Sequence, residues 1–596
     1  MTRLAVPKPA ALAAAVLCLC AAVAAAPARA ATEAKVPVEI FELDNGMRFL
    51  LVPMPEKTTV ATGWMAHVGS ANERPGITGL SHLFEHMMFK GTHVVGTTNL
   101  ERDLQIIEEQ EKIQERIREI YREQRDRWRR GEIDDPFDAA HRTPEQIELE
   151  QKFQQLVEEQ RKLMVKDEFD RIYTEAGASG MNATTNWDST IYFVTVPANK
   201  LELWFWMESE RLLQPVFREF YSERDVVQEE RRLRVESTPT GPFDEQLNAM
   251  FWTAHPYKWD TIGWMSDLRM LSLADAQDFF STYYAPNNLT AALVGNFDPA
   301  EVKRLAEKYF GRIPRGAKPV PDVVTLEVPQ LAEKRMNAEC DCQPQVSLQF
   351  HTVPFEHRDG YVLQVIEGLL NGETGRLKKS LVLDRQIAAS ASASQQSWKY
   401  NGFFGLSAET KGDAQPAELE AALVAELERL KSEPVPPEEL QKVKNQIAAD
   451  AYRRLENPFF LMLQLLFYEG WGDWEFLNTW ADKTLAVTAE DVARVAGKYF
   501  APEQRTVATY RRKAGAEVEP VPAGLAGLPA PMQQQVMGQV RQIRKSEDAA
   551  GLAQTLEQMS AQKAQVPAEF QQVIEVLERE IRSRLDALAA AKEGTK

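Results

Sequence analysis

The most constraining feature of the sequence is a short apolar segment, residues 78–92 (TGLSHLFEHMMFKGT), which contains the pattern His-x-x-Glu-His. On a helix, His82, Glu85 and His86 are spaced i, i+3 and i+4, so their side chains project from one face toward a common point. Because the surrounding residues are apolar, we expect this helix to be buried in a hydrophobic core. A buried helix seldom carries three ionisable groups close together unless a metal ion or a hydrogen-bonding network satisfies them.

The chemistry of these three groups favours zinc. Two neutral imidazoles from adjacent turns form half of a zinc site, and a carboxylate between them is placed to act as a general base. The reversed order of the pattern is also a peptidase motif. The alternative is a pair of surface histidines near an ordinary acid. With eight histidines in the chain, a chance match is expected on the order of once in a hundred such chains.

A third zinc ligand is predicted far along the chain, because catalytic zinc usually takes three protein ligands. Residues 221–236 (YSERDVVQEERRLRVE) predict a helix with Ser222 as a candidate N-cap. Glu223 and Glu230 are seven residues apart, which is two turns, so they share a face. We assign Glu230 as the third ligand and Glu223 as a second acid near the metal. Taken alone, such a segment is more often the solvated face of a charged helix.

Three segments together resemble the pitrilysin and insulinase family of zinc metallopeptidases, which includes the mitochondrial processing peptidase. They are residues 78–92, the segment GMNATTNWDSTIYFVTVP at 180–197, and ERDVVQEE from Glu223 onward. The family order is His-x-x-Glu-His, then a strand with Asn-Ala-x-Thr, then a helix with two glutamates seven residues apart. All three elements occur here in that order.

The resemblance implies a complete metal site within one chain. It assigns His82, His86 and Glu230 as the ligands of one zinc ion (Zn²⁺) per chain. It assigns Glu85 as the general base, which takes a proton from water and passes it to the leaving amine. It gives Glu223 a supporting catalytic role near the metal.

The segment at 180–197 has strong β-character, which predicts a strand. In the family this edge strand pairs with extended substrate through main-chain hydrogen bonds, a form of β-augmentation. The resemblance therefore implies Asn182 and Ala183 as substrate contacts. A core strand with no substrate role is the alternative.

The activity that the resemblance implies is that of a zinc endopeptidase or oligopeptidase acting on unstructured peptides or protein segments. A non-catalytic subunit that binds peptides or scaffolds a partner is the alternative. A purely structural coiled-coil protein would account for the charged helices but not for the motif.

The chain is too long for one hydrophobic core, so we expect at least two substantial domains. The predicted fold class is α+β, with two tandem homologous mixed α/β-sandwich domains of the processing-peptidase type, an inserted helical hairpin and a helical C-terminal appendage. The predicted segments are a signal peptide at 1–30, an N-terminal catalytic zinc domain at 36–316 with the hairpin insert at about 100–172, a linker at 317–329, a C-terminal family-like domain at 330–515, and a linker with a helical tail at 516–596.

Local patterns predict several elements of these domains. Asn45 and Gly46 predict a tight turn between two strands. The insert is expected to contain two charged helices, the second running from Pro144 to about Asp170. In the tail, two helical stretches are expected on either side of residues 566–567.

The N-terminus predicts a cleavable secretory signal. Basic Arg3 and Lys8 precede an apolar run that ends in small residues at Ala30. A membrane anchor is the alternative, but the run is short for a span. We therefore expect a periplasmic or secreted protein, cleaved near Ala30, with no stable membrane span.

Composition excludes one class of partner. The formal net charge of −18 makes nucleic-acid binding unfavourable. After signal cleavage only Cys340 and Cys342 remain, so no disulfide framework holds the fold. For this pair we favour two small residues entering a strand over a metal site or a strained bridge.

One departure from the family pattern indicates a partner. Active members usually carry, in the second domain, an Arg and a Tyr seven residues apart that bind substrate across the cleft. Aligning LVLDRQIAASASA places Val382 and Ala389 at these positions, with Arg385 out of register. We therefore expect a second subunit to supply these contacts in a clamshell around the peptide, either as a related chain in a hetero-oligomer or as the second copy of a homodimer.

Overall fold

The computed structural model describes residues 35–515, 523–525, 530–546, 548–562 and 568–593. The signal predicted at 1–30 and the break predicted at 566–567 lie outside these residues. In the part of the chain described, no helix is long and apolar enough to cross a membrane.

Two mixed β-sheets organise the molecule. Their strands are β1 Glu39–Glu42, β2 Arg48–Pro53, β3 Thr59–Ala66, β4 Ser179–Thr185, β5 Thr190–Pro197, β6 Leu289–Gly295, β7 Lys334–Cys340, β8 Gln345–His351, β9 Ala388–Ser397, β10 Gly402–Thr410 and β11 Arg505–Arg512.

Helices cover both sheets and form the C-terminal segment. They are α1 Leu80–Met87, α2 Leu100–Arg129, α3 Pro144–Leu163, α4 Glu168–Glu175, α5 Leu201–Leu213, α6 Phe220–Arg231, α7 Gly241–Phe251, α8 Met265–Met270, α9 Leu273–Tyr283, α10 Pro299–Tyr309, α11 Arg358–Leu370, α12 Pro416–Ser432, α13 Pro437–Leu455, α14 Pro458–Trp471, α15 Phe476–Leu485, α16 Ala489–Tyr499, α17 Ala530–Lys545, α18 Ala549–Gln562 and α19 Ala568–Glu593.

The two sheets repeat one topology. The first has the order β1-β2-β6-β3-β5-β4 and the second has the order β7-β11-β8-β10-β9. If β1 is set aside and the five strands of each sheet are numbered by their order in the chain, their order across either sheet is first, fifth, second, fourth, third. In each sheet the first pair is parallel and the other pairs are antiparallel. This repetition confirms the predicted pair of homologous mixed α/β domains.

The turn between β1 and β2 forms where the sequence predicts it. Gly46 has φ +91°, a left-handed conformation that glycine adopts without steric cost. The Asn45 amide donates to the carbonyls of Phe310 (2.8 Å) and Ile313 (2.9 Å). This contact ties the hairpin to the segment that follows α10.

The insert is a helical hairpin whose second helix is shorter than predicted. Helix α3 ends at Leu163, and the chain then reaches the separate helix α4. The Leu163 carbonyl accepts a hydrogen bond from Thr98 N–H (2.8 Å), and Val165 N–H donates to Gly96 (3.1 Å). These bonds to the loop ahead of α2 replace the next helical turn, and no local sequence pattern indicates them.

The second domain supplies a helix to the first sheet. Helix α14 packs on the sheet face opposite α1, and its buried residues Leu461, Met462, Leu465 and Leu466 contact residues of β2, β3, β5 and β6. The first sheet is thus covered by helices on both faces. The two domains share a hydrophobic core through this helix.

The described part of the C-terminal segment contains three helices, not the two predicted, because α17 ends at Lys545 and a separate helix, α18, begins at Ala549. Helices α17 and α19 pack through Val536, Val540, Val576 and Leu577 in a small apolar cluster of their own.

The cysteine pair differs from our preferred interpretation. Cys340 ends strand β7, and its sulfur is bonded to that of Cys342. The two residues are therefore joined by a local disulfide.

Candidate metal centre

Helix α1 begins at a buried carboxylate that the sequence analysis missed. Gly79 precedes the helix with φ +88°, and a Cβ there would lie 2.5 Å from the Ile262 carbonyl oxygen. The Glu73 carboxylate accepts hydrogen bonds from Gly79 N–H (2.8 Å) and Ser81 N–H (2.6 Å). Burial raises the pKa of Glu73 to about 8. Glu73 thus satisfies the free amides at the helix start, and only its contact in space reveals this role.

The apolar side of α1 is buried in the core of the first domain, as its composition predicts. Leu80, Leu83 and Phe84 are fully buried. The Tyr192 hydroxyl donates to the Phe84 carbonyl (3.1 Å). This hydrogen bond fixes the position of α1 relative to the sheet. The opposite side of the helix carries the two imidazoles.

Three candidate ligand atoms converge at the polar side of α1, where His82 is buried and His86 and Glu230 are half-buried. Glu230 Oε2 lies 3.7 Å from His82 Nε2 and 3.5 Å from His86 Nε2. One ligand atom from each of the three residues lies within 4.8 Å of the others. Two ligands about 2.1 Å from a tetrahedral zinc ion are roughly 3.4 Å apart. The spacing and chemistry of these donors therefore fit a single zinc ion.

Helix α6 brings Glu230 to this point. The predicted cap at Ser222 is wrong, because the helix already begins at Phe220 after Glu219, which has φ +56°. The second oxygen of Glu230 pairs with Arg234 at 2.7 Å. This ion pair leaves Oε2 facing the two imidazoles.

Glu223 lies beside His86 rather than among the three converging donors. Its Oε2 is 3.4 Å from His86 Nδ1, and its Oε1 is 2.5 Å from Lys90 Nζ. A carboxylate on Nδ1 holds the proton there and leaves Nε2 free to bind a metal, which is the usual carboxylate–histidine–zinc arrangement. The sequence analysis missed Lys90, which lies in the turn just after α1, four residues beyond His86.

Electrostatics distinguish the two histidines. Burial lowers the pKa of His82 to about 4, which keeps its imidazole neutral. Burial also opposes a charge on His86, but its hydrogen bonds with Glu223 and Glu230 outweigh this effect and raise its pKa to about 9. In the absence of a cation the site therefore holds a proton between two carboxylates. A metal cation would replace that proton.

Glu85 lies on the same helix and is half-buried. Burial raises the pKa of this carboxyl above its ordinary value. A general base with a raised pKa is a stronger proton acceptor near neutral pH.

The predicted strand at 180–197 is a hairpin of two strands. Strands β4 and β5 are joined by a turn in which the Asn186 side chain accepts hydrogen bonds from the N–H groups of Asp188 (2.7 Å) and Ser189 (2.9 Å). The single-strand prediction is wrong, because this side-chain turn interrupts an otherwise β-rich segment.

Strand β4 forms the edge of the first sheet and contacts α1. Asn182 on this strand is exposed, whereas the Ala183 side chain is buried in the core. The two predicted contact residues thus lie on the edge strand beside the metal centre, and only one of them presents its side chain to solvent.

The positions aligned with the family's Arg and Tyr lie in the second domain. Val382 packs against the second core from a helical segment at Lys378–Asp384, and Ala389 is an exposed residue of β9. Arg385 is exposed between them. Neither Val382 nor Ala389 offers a polar side chain.

Comparison with family models gives two matches. Residues 48–116 match the model described as insulinase (peptidase family M16), and residues 271–447 match the model described as the peptidase M16 inactive domain. The first range includes all three residues of the His-x-x-Glu-His pattern. Glu223 and Glu230 lie between the two ranges.

Curated relatives cover most of the chain. The zinc protease PqqE of Helicobacter pylori is 26% identical over 78% of this chain and 91% of its own length. An uncharacterised zinc protease of Bacillus subtilis, YmxG, is 22% identical over 70% of this chain and 85% of its own length.

Solved structures share the fold. A protease from Helicobacter pylori covers 80% of this chain and 100% of its own with a TM-score of 0.65 and 24% identity. The periplasmic protease PqqL of Escherichia coli covers 81% of this chain but only 49% of its own, with a TM-score of 0.57 and 16% identity.

The fold and the three candidate ligands together define a class of protein. Its members are two-domain α/β proteins in which a helix with the inverted His-x-x-Glu-His pattern and a glutamate from far along the chain meet at one site. Within that class the chain belongs to the pitrilysin/insulinase family of peptidases.

Proposed function

We propose that the protein is a zinc-dependent endopeptidase or oligopeptidase that cleaves unstructured peptides or protein segments. The observation that carries this proposal is the convergence of His82, His86 and Glu230 within 4.8 Å, with Glu85 on the same helix. The zinc-protease names of the curated relatives support it.

Each side chain has a distinct role in this proposal. His82, His86 and Glu230 hold one zinc ion, which when bound lowers the pKa of water and polarises a peptide carbonyl. Glu85 accepts a proton from water and donates it to the leaving amine. Glu223 orients His86 through its Nδ1.

Strand β4 is the proposed binding site for the substrate main chain. Its outer edge has no neighbouring strand in the part of the chain that the structure describes. An extended peptide can add to such an edge through main-chain hydrogen bonds. Asn182 is the side-chain contact in this arrangement, while Ala183 contributes only its backbone.

The active unit in this proposal is a clamshell of two subunits. The chain aligns with only half of PqqL from E. coli, and the first half of that protease by itself covers 84% of this chain. Val382 and Ala389 cannot replace the Arg and Tyr expected across the cleft. We propose a related second subunit, or a second copy, as their source. The printed description of PqqL as periplasmic supports a periplasmic location here.

A non-catalytic role is the second candidate, because residues 271–447 match a model described as an inactive domain. That match does not include any of the proposed ligands. A scaffold has no need of a metal, so zinc content separates the two candidates.

The test combines zinc analysis with a peptide-library digest by the purified chain, with and without a co-purified partner. We expect one zinc per chain and cleavage that Glu85→Gln abolishes, while zinc stays bound in that variant because Glu85 is not a ligand. Cleavage by Glu85→Gln at the wild-type rate would refute the role of Glu85. A wild-type chain that binds no zinc would refute the proposed function.

A further inference from the structure

A buried arginine joins the helical insert to the metal centre. Arg218 is completely buried, and its guanidinium donates four hydrogen bonds. Three of them reach the carbonyls of Lys90 (3.2 Å), Thr92 (2.6 Å) and Val95 (3.0 Å), and the fourth reaches the carboxylate of Asp103 (2.5 Å). The carbonyls belong to the loop after α1, whereas Asp103 belongs to the insert.

The loop is shaped to accept this side chain. Gly91 has φ +93° and Gly96 has φ +104°. A Cβ would lie 3.0 Å from an Arg218 nitrogen at Gly91 and 3.1 Å from it at Gly96. Both glycines therefore permit a turn around the guanidinium that other residues would obstruct.

Arg218 also lies at the start of the second metal-binding helix. It precedes Glu219, the left-handed residue from which α6 begins, and Glu223 follows it by five residues. The Lys90 carbonyl that it binds follows His86 by four residues. One side chain thus connects the end of the helix that carries the imidazoles with the beginning of the helix that carries the glutamates.

Asp103 is fixed from the insert side. It is completely buried in α2. Its second oxygen accepts a hydrogen bond from Gln160 of α3 (2.8 Å), and Gln160 in turn accepts one from Gln110 (3.2 Å). Both helices of the hairpin therefore fix the carboxylate of Asp103, which in turn binds Arg218.

We propose that Asp103 and Arg218 are positioning residues that set the separation of α1 and α6, so that the insert is needed for correct metal geometry. This inference rests on the proposed zinc site and goes beyond it by giving the insert a function. Neither residue touches the metal or the substrate. Their effect reaches the site through the backbone on which His86 and Glu230 are carried.

The experiment measures metal binding by the full-length protein carrying Asp103→Asn. This change keeps the shape of the side chain and an acceptor for Gln160 but removes the charge opposite Arg218. We expect zinc affinity, measured by competition with a chromophoric chelator, to fall about tenfold or more, as it does when groups supporting metal ligands are lost. We also expect the visible absorption bands of the cobalt-substituted protein to shift, because they report the coordination geometry.

A second variant and a control accompany it. Arg218→Lys keeps the charge but cannot form all four hydrogen bonds, so it should shift the same two readouts. It supplies the test if Asp103→Asn fails to fold. The control is Arg102→Ala, which breaks the partly exposed ion pair with Glu159 (2.7 Å) between the same two helices. It should leave zinc affinity and the cobalt spectrum at wild-type values.

The outcomes are distinguishable. Wild-type affinity and a wild-type cobalt spectrum in both folded variants would overturn the positioning role, even if their melting temperatures fall. A wild-type protein that binds no zinc would instead refute the proposed function. Weaker zinc binding with an altered spectrum in the variants, but not in Arg102→Ala, would support the inference.

Discussion

At the residue scale, His86 shows how the ring of one candidate ligand is held in place. One ring nitrogen faces Glu223 and the other faces Glu230. Lys90 binds the Glu223 carboxylate from the other side. The ring is thus fixed in orientation before a cation binds, and a preorganised ligand loses less conformational freedom on binding.

Glu223→Gln should weaken zinc binding without removing a ligand. An amide can still meet His86 Nδ1 but no longer supplies a charge, so we expect zinc affinity to fall about 10- to 100-fold. Chelator competition measures the change. Glu229→Gln is the matched control, since Glu229 lies on the same helix and pairs with exposed Arg232. Equal affinities in the two variants would contradict the orienting role of Glu223.

At the element scale, the β4–β5 hairpin and helix α1 form one unit. Strand β5 lies inside the sheet between β3 and β4, and Tyr192 on it binds the backbone of α1. The edge strand is therefore held rigidly beside the metal centre. A peptide that extended the sheet at β4 would pass next to Glu85 and the imidazoles.

Asn182→Ala should weaken substrate binding while leaving the metal site intact. We expect KM for an extended peptide to rise severalfold with a smaller change in kcat, because the proposed contact of this side chain with the peptide would form in both the ground state and the transition state. Steady-state kinetics and zinc analysis test this. Asn337→Ala is the control, since Asn337 is an exposed residue on β7, an edge strand of the other sheet. An unchanged KM in Asn182→Ala would argue against substrate binding at β4.

At the scale of the whole molecule, a buried carboxylate lies where the two domains meet. The two oxygens of Asp188 accept the Tyr257 hydroxyl at 2.8 and 2.9 Å, and one of them accepts Lys399 N–H from the second domain at 3.2 Å. Burial raises the pKa of Asp188 to about 6. The native state therefore holds a proton on Asp188 more tightly than the unfolded chain, in which an Asp titrates near 4.

Stability should consequently depend on pH through Asp188. Because Asp188 binds its proton more tightly in the native state between about pH 4 and pH 6, its contribution to the free energy of unfolding falls as pH rises through this window, by up to about 3 kcal/mol. Asp188→Asn should remove this contribution, so that its melting temperature rises relative to that of the wild type as the pH increases from 4 to 7. Asp413→Asn, at an exposed loop position, should follow the wild-type profile. A parallel profile for Asp188→Asn would contradict this assignment.

Much of the fold and site followed from local patterns. The spacing of His82, Glu85 and His86 on one helix, the shared face of Glu223 and Glu230, and the turn at Asn45 and Gly46 depend on neighbours a few residues away. The early end of α3 was predicted wrongly because hydrogen bonds to a distant loop decide it. The side-chain turn at Asn186 and the left-handed Glu219 that sets the start of α6 at Phe220 are local features, but the strong β-character around the first and the capping preference of Ser222 near the second favoured other interpretations.

The sequence by itself determined the candidate ligand set, because helix geometry fixes which side chains share a face and residue type fixes which atoms can bind zinc. Only the tertiary structure decided how the two helices that carry these candidate ligands are held together. Glu73, Lys90, Arg218 and Asp103 have no motif of their own, since each acts on residues that are near in space and, in most cases, far along the chain. The packing of α14 on the first sheet has the same origin. Such contacts arise from burial and hydrogen bonding between distant segments, which no local pattern encodes.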